Sequence, residues 1–259
     1  MRVGWKYVPA ATVSLGIDAT VDEFATTMGY SPGRYPTRES FLEAHRQRWV
    51  LELHDVLREL LDPDRLTLGL GSGEGEHEVL LGLAGYRVIA SDIVPGVLDD
   101  ARMLFPEIQT LELDIFSEQA VDCEDVLITG MDQYFDDAGT GALLRAVRSQ
   151  LRPDSRLVFT LRYRDSPVTQ LVDRIALPAV AAVQRIRGAH LIRKEHGYRR
   201  SINEVRTLAG AAGFRVGRVR YAAFGMEFER LLPAPRVLVA ADRRLHVLNS
   251  ATVLELIAA

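Results

Sequence analysis

Between Leu66 and Gly75 a short apolar run breaks into glycines at every second position: Leu-Thr-Leu-Gly-Leu-Gly-Ser-Gly-Glu-Gly. Glycine has no side chain and tolerates positive φ, so such a loop lets backbone N–H groups come close to a ligand. The following residues, Glu76 to Ala84, have helical character and stop at Gly85. Strand, glycine loop and helix together form a cradle for a nucleotide-like ligand. The spacing narrows the ligand. In a dinucleotide G-x-G-x-x-G the third position would fall on Glu74, counted from Gly69, or on Glu76, counted from Gly71. No lysine follows the glycines, as a phosphate-binding G-x-x-x-x-G-K-[ST] loop requires. Ser72 has Leu70 and Glu74, not glycines, at the outer positions of a hydrolase elbow.

A carboxylate follows at a telling distance. Tyr86 to Ala90 reads as a second apolar strand that ends at Ser91-Asp92-Ile93, with Asp92 lying 17 residues beyond Gly75, about the length of a βαβ unit. Residues 111 to 115 read as a third strand and its end, Asp125 to Gly130 as a fourth, and Arg156 to Leu161 as a fifth entered through Leu-Arg-Pro-Asp. The G-x-G-x-G loop, Asp92, Asp114 and this strand order resemble the class I S-adenosylmethionine-dependent methyltransferases over roughly residues 60 to 240. The resemblance implies S-adenosylmethionine as cofactor, held by Gly71, Ser72, Gly73 and Gly75. It implies that Asp92 accepts hydrogen bonds from both ribose hydroxyls, a task suited to two carboxylate oxygens. It places Ile93 on the adenine face and Asp114 at the adenine amino group, with Ile115 and Met131 completing the cofactor set. One position departs from the family pattern. The acid two residues before the first glycine, which helps hold the methionine ammonium, is replaced by Gly69. Either Glu74, Glu76 or Glu78 substitutes for it, or all three are solvated or first-turn acids that favour the helix dipole.

Methyl transfer from a sulfonium is an in-line displacement, so the protein mainly aligns donor and acceptor. The acceptor is expected to meet the segment after strand four, Met131 to Asp137. There Asp132 or Tyr134 is a candidate to take a proton or hydrogen bond from a nucleophilic hydroxyl. The bland alternative is that Asp136 or Asp137 caps the next helix while Tyr134 and Phe135 pack. His45, on the N-terminal helix, is a third catalytic candidate. His190 and His196 lie in a basic stretch, as substrate contacts, as a base, or as solvated loop residues. No cluster has metal-ligand spacing, so no metal is expected.

The elements that position these residues follow from the pattern. Thr37 to Leu61 reads as a helix with Leu42, Trp49, Leu53, Val56, Leu57 and Leu60 on one face. Asp137 to Leu151 reads as another, stopped by Pro153, and Ser201-Ile-Asn-Glu204 is a capping box that opens a third. A strand over 215 to 223 follows, then a last strand over 235 to 240 that pairs antiparallel with strand five. Residues 245 to 259 either finish the core or form a homodimer contact. The expected fold is α/β and Rossmann-like: seven strands, mostly parallel, the last antiparallel. An N-terminal cap spans 1–61 and a core 62–259, with a lid insertion at about 165–200. That insertion carries Arg185, Arg187, Arg193, Lys194, Arg199 and Arg200. It reads as a solvated face, as a lid for an anionic acceptor, or as a membrane-surface contact.

The bulk properties bound the function. A chain of 259 residues, 47% hydrophobic, buries one substantial core. A net charge of −4 argues against a general nucleic-acid binder. The single cysteine, Cys123, excludes an internal disulfide and fits a reducing, cytoplasmic setting. No apolar run reaches the roughly 20 residues that span a bilayer, so stable membrane insertion is not expected. The reading is a methyltransferase acting on a small molecule, on oxygen of a sugar or secondary metabolite. Its rival is a methyltransferase-like binding or regulatory protein without catalysis, motivated by Gly69. A nicotinamide dehydrogenase is disfavoured by the glycine spacing.

Overall fold

The computed structural model describes residues 32–116, 121–162, 199–224 and 249–259. Their elements, in order, are α1 (Arg38–Ala44), α2 (Arg48–Leu60), β1 (Thr67–Leu70), α3 (Glu76–Leu83), β2 (Val88–Asp92), α4 (Asp99–Leu104) and β3 (Gln109–Glu112). Then come β4 (Asp125–Ile128), a 3-10 turn (Asp132–Tyr134), α5 (Asp137–Gln150), β5 (Arg156–Arg162), α6 (Ile202–Ala211), β6 (Phe214–Phe224) and β7 (Asn249–Ala258). The seven strands form one sheet in the order β3-β2-β1-β4-β5-β7-β6. The pairs from β3 through β5 are parallel, and β7 runs antiparallel to both β5 and β6. This is the expected seven-stranded Rossmann-like sheet with an antiparallel last strand.

Parallel strands covered on both faces read as continuous apolar runs, and β1, β2 and β4 are buried at every position. Their side chains alternate between two cores. Leu68, Leu70, Ile128, Leu157 and Phe159 face α5 and α6 through Leu143, Leu144, Val205 and Ala209. Leu127, Val158 and Val253 face α1 to α4 through Phe41, Leu57, Leu60, Val79 and Ala101. A helix layer therefore covers each face of the sheet.

Three expectations change. The helix expected over 37–61 is two helices. Thr37 caps α1 in a full capping box, and the chain turns extended at Gln47 before α2 begins. His45 ends α1, its backbone N–H reaching back to Phe41 and Glu43. The partner of β5 is not 235–240, which lies outside the described residues, but 249–258. Along β7 the apolar side chains Val253, Leu254 and Leu256 are buried from both faces, so the terminal segment finishes the core. The third strand lies earlier than expected, at Gln109–Glu112, and leaves Asp114 beyond its end. The Ser201 capping box is present as read, Ser201 accepting from Glu204 N and Glu204 from Ser201 N.

The topology fixes where a ligand can sit. From β1 the chain moves outward to β2 and β3, then crosses back to place β4 on the other side of β1. The register keeps the strand ends level, with Leu70 opposite Ser91 and Ile128. The loops after β1 and β4 thus diverge at a switch point at the carboxyl edge, where open α/β sheets bind ligands.

Candidate functional site

The loop after β1 has the backbone its glycines permit. Gly71, Gly73 and Gly75 all have positive φ, at 64°, 58° and 82°. Ser72 N donates to Ser91 O at 2.9 Å, and Gly75 N to Ser72 O at 2.9 Å, so the loop is tied to the end of β2. Gly73 N donates directly to Asp92 Oδ2 at 2.8 Å, and Val94 N to Asp92 Oδ1 at 2.9 Å. The loop and the carboxylate expected to share a ligand are therefore hydrogen-bonded neighbours. Burial pushes the Asp92 carboxyl above its usual range, against the backbone N–H groups of Val94, Gly73 and Ile93, which pull it down. A carboxylate has about four acceptor sites, so Asp92 retains capacity for a further donor such as a hydroxyl. This fits a ribose.

Met131, which follows β4, packs directly on the loop. A Cβ at Gly71 would collide with the Met131 thioether, standing 2.6 Å from its Cγ. Glycine at 71 is required both by φ and by this approach. Ile93 packs partly buried against Ala90, Val94, Val97 and Leu98. Asp114 Oδ1 accepts from Phe116 N at 2.8 Å, which shapes the turn after β3, and Ile115 is buried beside Leu113. Gly71, Ser72, Gly73, Gly75, Asp92 and Met131 thus lie together at the carboxyl ends of β1, β2 and β4, while Ile93, Asp114 and Ile115 sit in the turns after β2 and β3.

The segment after β4 is held by an arginine that the sequence reading assigned to the insertion. Arg200, almost wholly buried, donates from Nη1 to Asp132 O at 2.9 Å and from Nη2 to Phe135 O at 2.6 Å. Its Nε donates to Asp137 Oδ1 at 3.0 Å. One side chain so fixes the turn that carries Asp132 and Tyr134. Its only sequence signal was its place directly before the capping serine. Asp132 is fully buried and Tyr134 packs partly against the core. Asp136 caps α5, its Oδ1 accepting from Gly139 N at 2.8 Å, as the bland reading of that residue anticipated.

The N-terminal segment meets the same loop from the other side. Glu74 accepts from Arg34 Nη1 at 2.7 Å, from Tyr35 Oη at 2.8 Å and faces His45 Nε2 at 3.1 Å. The other His45 nitrogen, Nδ1, faces Phe41 O at 2.8 Å. With acceptors on both sides the ring is best satisfied as an imidazolium. Burial opposes that charge, but Glu74, Glu76 and the Phe41 carbonyl together hold the His45 pKa above its ordinary value. His45 there acts as a donor that latches the cap to the loop. The Glu74 pKa is lowered: burial raises it, and the bonds from His45, Tyr35 and Arg34 outweigh burial. Arg38, at the start of α1, pairs with Glu107 at 2.6 Å on the surface. His190 and His196 lie outside the described residues.

Two of the three acids near Gly69, Glu74 and Glu78, therefore differ. Glu74 is taken up by Arg34, Tyr35 and His45. Glu78 is neither solvated nor a surface dipole acid; it is buried under the loop.

No family model matches the chain, and no curated protein sequence matches it. Solved structures do. Magnesium protoporphyrin IX methyltransferase from Synechocystis PCC 6803, with bound S-adenosylmethionine, aligns at 13% identity and TM-score 0.56 over 95% of this chain and 98% of its own. The pyocyanin biosynthetic protein PhzM aligns at 22% identity and TM-score 0.58 over 99% of this chain and 70% of its own. The 1,6-didemethyltoxoflavin-N1-methyltransferase of Burkholderia thailandensis, with bound 1,6-didemethyltoxoflavin and S-adenosylhomocysteine, aligns at 17% identity and TM-score 0.51 over 85% of this chain and 86% of its own. The fold is that of S-adenosylmethionine-dependent methyltransferases.

Proposed function

We propose that this protein transfers a methyl group from S-adenosylmethionine to a small molecule, on an oxygen of a sugar or secondary metabolite. The observation that carries the reading is the Gly73–Asp92 hydrogen bond at the switch point of a fold shared with such enzymes. A positive-φ glycine loop beside a buried carboxylate suits a nucleoside: the loop admits it closely, and the carboxylate takes its hydroxyls. Bound S-adenosylmethionine supplies a methyl group already activated on a sulfonium.

The chain's own residues divide the remaining work. Asp92 holds the ribose hydroxyls, Ile93 and Ile115 flank the base, and Asp114 takes its amino group. Met131 closes the crevice over Gly71. Arg200 fixes the backbone of the turn after β4, so that Asp132 and Tyr134 meet the acceptor in a set geometry. Asp132 accepts the acceptor's hydroxyl proton, with Tyr134 as the second candidate. The cap over 1–61 and the insertion at 165–200 surround the acceptor, and the arginines of the insertion suit an anionic one. The single cysteine, Cys123, is in keeping with a reducing cytoplasm, and among the described residues no helix is long and apolar enough to cross a membrane.

Incubation with S-adenosylmethionine and a panel of hydroxylated and amine acceptors tests this directly. The expected result is S-adenosylhomocysteine release with at least one hydroxylated acceptor, and loss of about 10²-fold or more in kcat in Asp132→Asn. Cofactor binding without turnover on any acceptor would favour the non-catalytic binding protein instead.

A further inference from the structure

Beneath the glycine loop lies a carboxyl that the mechanism above does not use. Glu78, in the first turn of α3, is 1% exposed. A Cβ placed on Gly69 would collide with its Oε1 and stand 2.7 Å from its Cδ and 2.8 Å from Ser72 Oγ. The Glu78 carboxyl thus fills the room that any side chain at 69 would need. Ser72 stands beside it: Ser91 N donates to Ser72 Oγ at 3.2 Å, and that hydroxyl borders the same space at Gly69 that the Glu78 carboxyl fills. The second oxygen, Oε2, has no hydrogen-bond partner among the described residues. A buried polar atom left unmet is costly and calls for a partner.

S-Adenosylmethionine carries an ammonium on its amino-acid end, and an ammonium removed from water requires an anion. Glu74 is already engaged by three donors, and Asp92 by the loop and turn backbone. Resting on the cofactor reading above, we propose that Glu78 is the acid that holds the cofactor's ammonium, delivered from the first turn of α3 into the space left by Gly69. Glycine at 69 is then a requirement of this arrangement rather than a loss. The helix N-terminus beside it favours the carboxylate once a cation is present.

This assignment has a proton signature. In the ligand-free protein burial holds the Glu78 pKa up to about 8, with the charges of Glu76 on the same helix and Asp92 at the end of β2 adding to the rise. Near neutral pH the side chain therefore carries a proton, and an arriving ammonium displaces it. Binding releases on the order of one proton per ligand.

Calorimetry with two ligands separates this inference from the cofactor reading. S-Adenosylhomocysteine has the ammonium; 5′-methylthioadenosine has the nucleoside and no amino-acid end. The native protein is expected to bind both at pH 7, with proton release, read from enthalpies in buffers of different ionisation heat, only for S-adenosylhomocysteine. In Glu78→Gln, which resembles the protonated acid in shape, S-adenosylhomocysteine binding should weaken about tenfold or more and lose its proton release, while 5′-methylthioadenosine binding is unchanged. The exchange Gly69→Asp with Glu78→Ala should recover S-adenosylhomocysteine binding, and Gly69→Asp alone should not. Equal S-adenosylhomocysteine binding by native protein and Glu78→Gln would overturn the assignment. So would equal weakening of both ligands, which would mark Glu78 as a structural support. If the native protein binds neither ligand, the cofactor reading itself fails.

Discussion

At the amino edge of the sheet Asp125 is fully buried and saturated, meeting Arg65 at 3.0 Å and Arg156 at 2.6 Å. At the carboxyl edge Glu78 is buried as deeply, yet one of its oxygens meets no donor among the described residues. The contrast extends to neighbours. Glu255, reached by Arg218 at 2.8 Å, has its pKa held below the usual range by that hydrogen bond, against burial. Glu78 and Asp92 are both pushed up by burial. Arg156 and Arg218 also donate to the Leu60 carbonyl, so the amino edge ties α2 to the sheet. The amino edge pairs its charges with one another; the carboxyl edge pairs Glu74 with the cap but leaves a Glu78 oxygen unmet and positive-φ backbone in the loop. Stability is concentrated at one edge and ligand capacity at the other.

Breaking the amino edge has the largest effect. Asp125→Ala leaves Arg156 and Arg65 without their buried partner and is expected to cost about 3–5 kcal/mol, read by urea unfolding. A loss within the range of a surface substitution would erase the contrast. Next comes the pH dependence of stability. The Glu78 pKa is raised from 4.5 to about 8 in the folded protein, so the folded state keeps a proton that the unfolded chain gives up. Stability conferred by the protonated form is full below pH 4.5 and lost as pH rises toward 8. Glu78→Gln should flatten that decline by on the order of 2–4 kcal/mol between pH 5 and 8. Glu255 has the opposite sign. Its lowered pKa gives stability above the unfolded value that is lost as pH falls through the folded one, so Glu255→Gln should flatten the acid side instead. Identical pH–stability curves for both variants would contradict the assignment of the two edges.

Gly71→Ala sharpens the ligand side. A left-handed φ costs a residue with a Cβ about 1–2 kcal/mol, and the added methyl collides with Met131. Stability should fall by about that amount, with cofactor binding lost. The smallest expected effect is Ser201→Ala, which removes the α6 cap beside Arg200 but touches neither the glycine loop nor Asp92. It should cost about 1 kcal/mol in unfolding experiments and leave ligand binding intact.

Much of this arrangement was legible before any coordinates. The glycine spacing and Asp92 pointed to the carboxyl edge, where the loop and the carboxylate do meet, because both depend on local backbone geometry and on one βαβ span. The Ser201 box and the Asp136 cap were local too. What the pattern did not disclose depends on contacts distant in sequence. The break at Gln47 lies inside an unbroken apolar stripe. The sequence pattern places the strand beside β5 at 235–240 and leaves 245–259 as core or dimer contact; the pairing of Arg156–Arg162 with Ala251–Ile257 depends on a contact across the chain that no local pattern shows. Glu78 stayed open between a substitute for the missing acid and a solvated first-turn acid, because nothing local shows that Gly69 leaves it room. Arg200 looked like one of a basic run because its partners, Asp132, Phe135 and Asp137, are more than 60 residues away.

The central claim is that the loop from Gly71 to Gly75 and Asp92 form one nucleoside site. It is tested most directly by calorimetric titration of S-adenosylhomocysteine into the native protein and into Asp92→Ala, with circular dichroism confirming that both are folded. The account predicts binding of about micromolar strength, some −8 kcal/mol, in the native protein and its loss in the folded variant. Undiminished binding by Asp92→Ala, or none by the native protein, would contradict it.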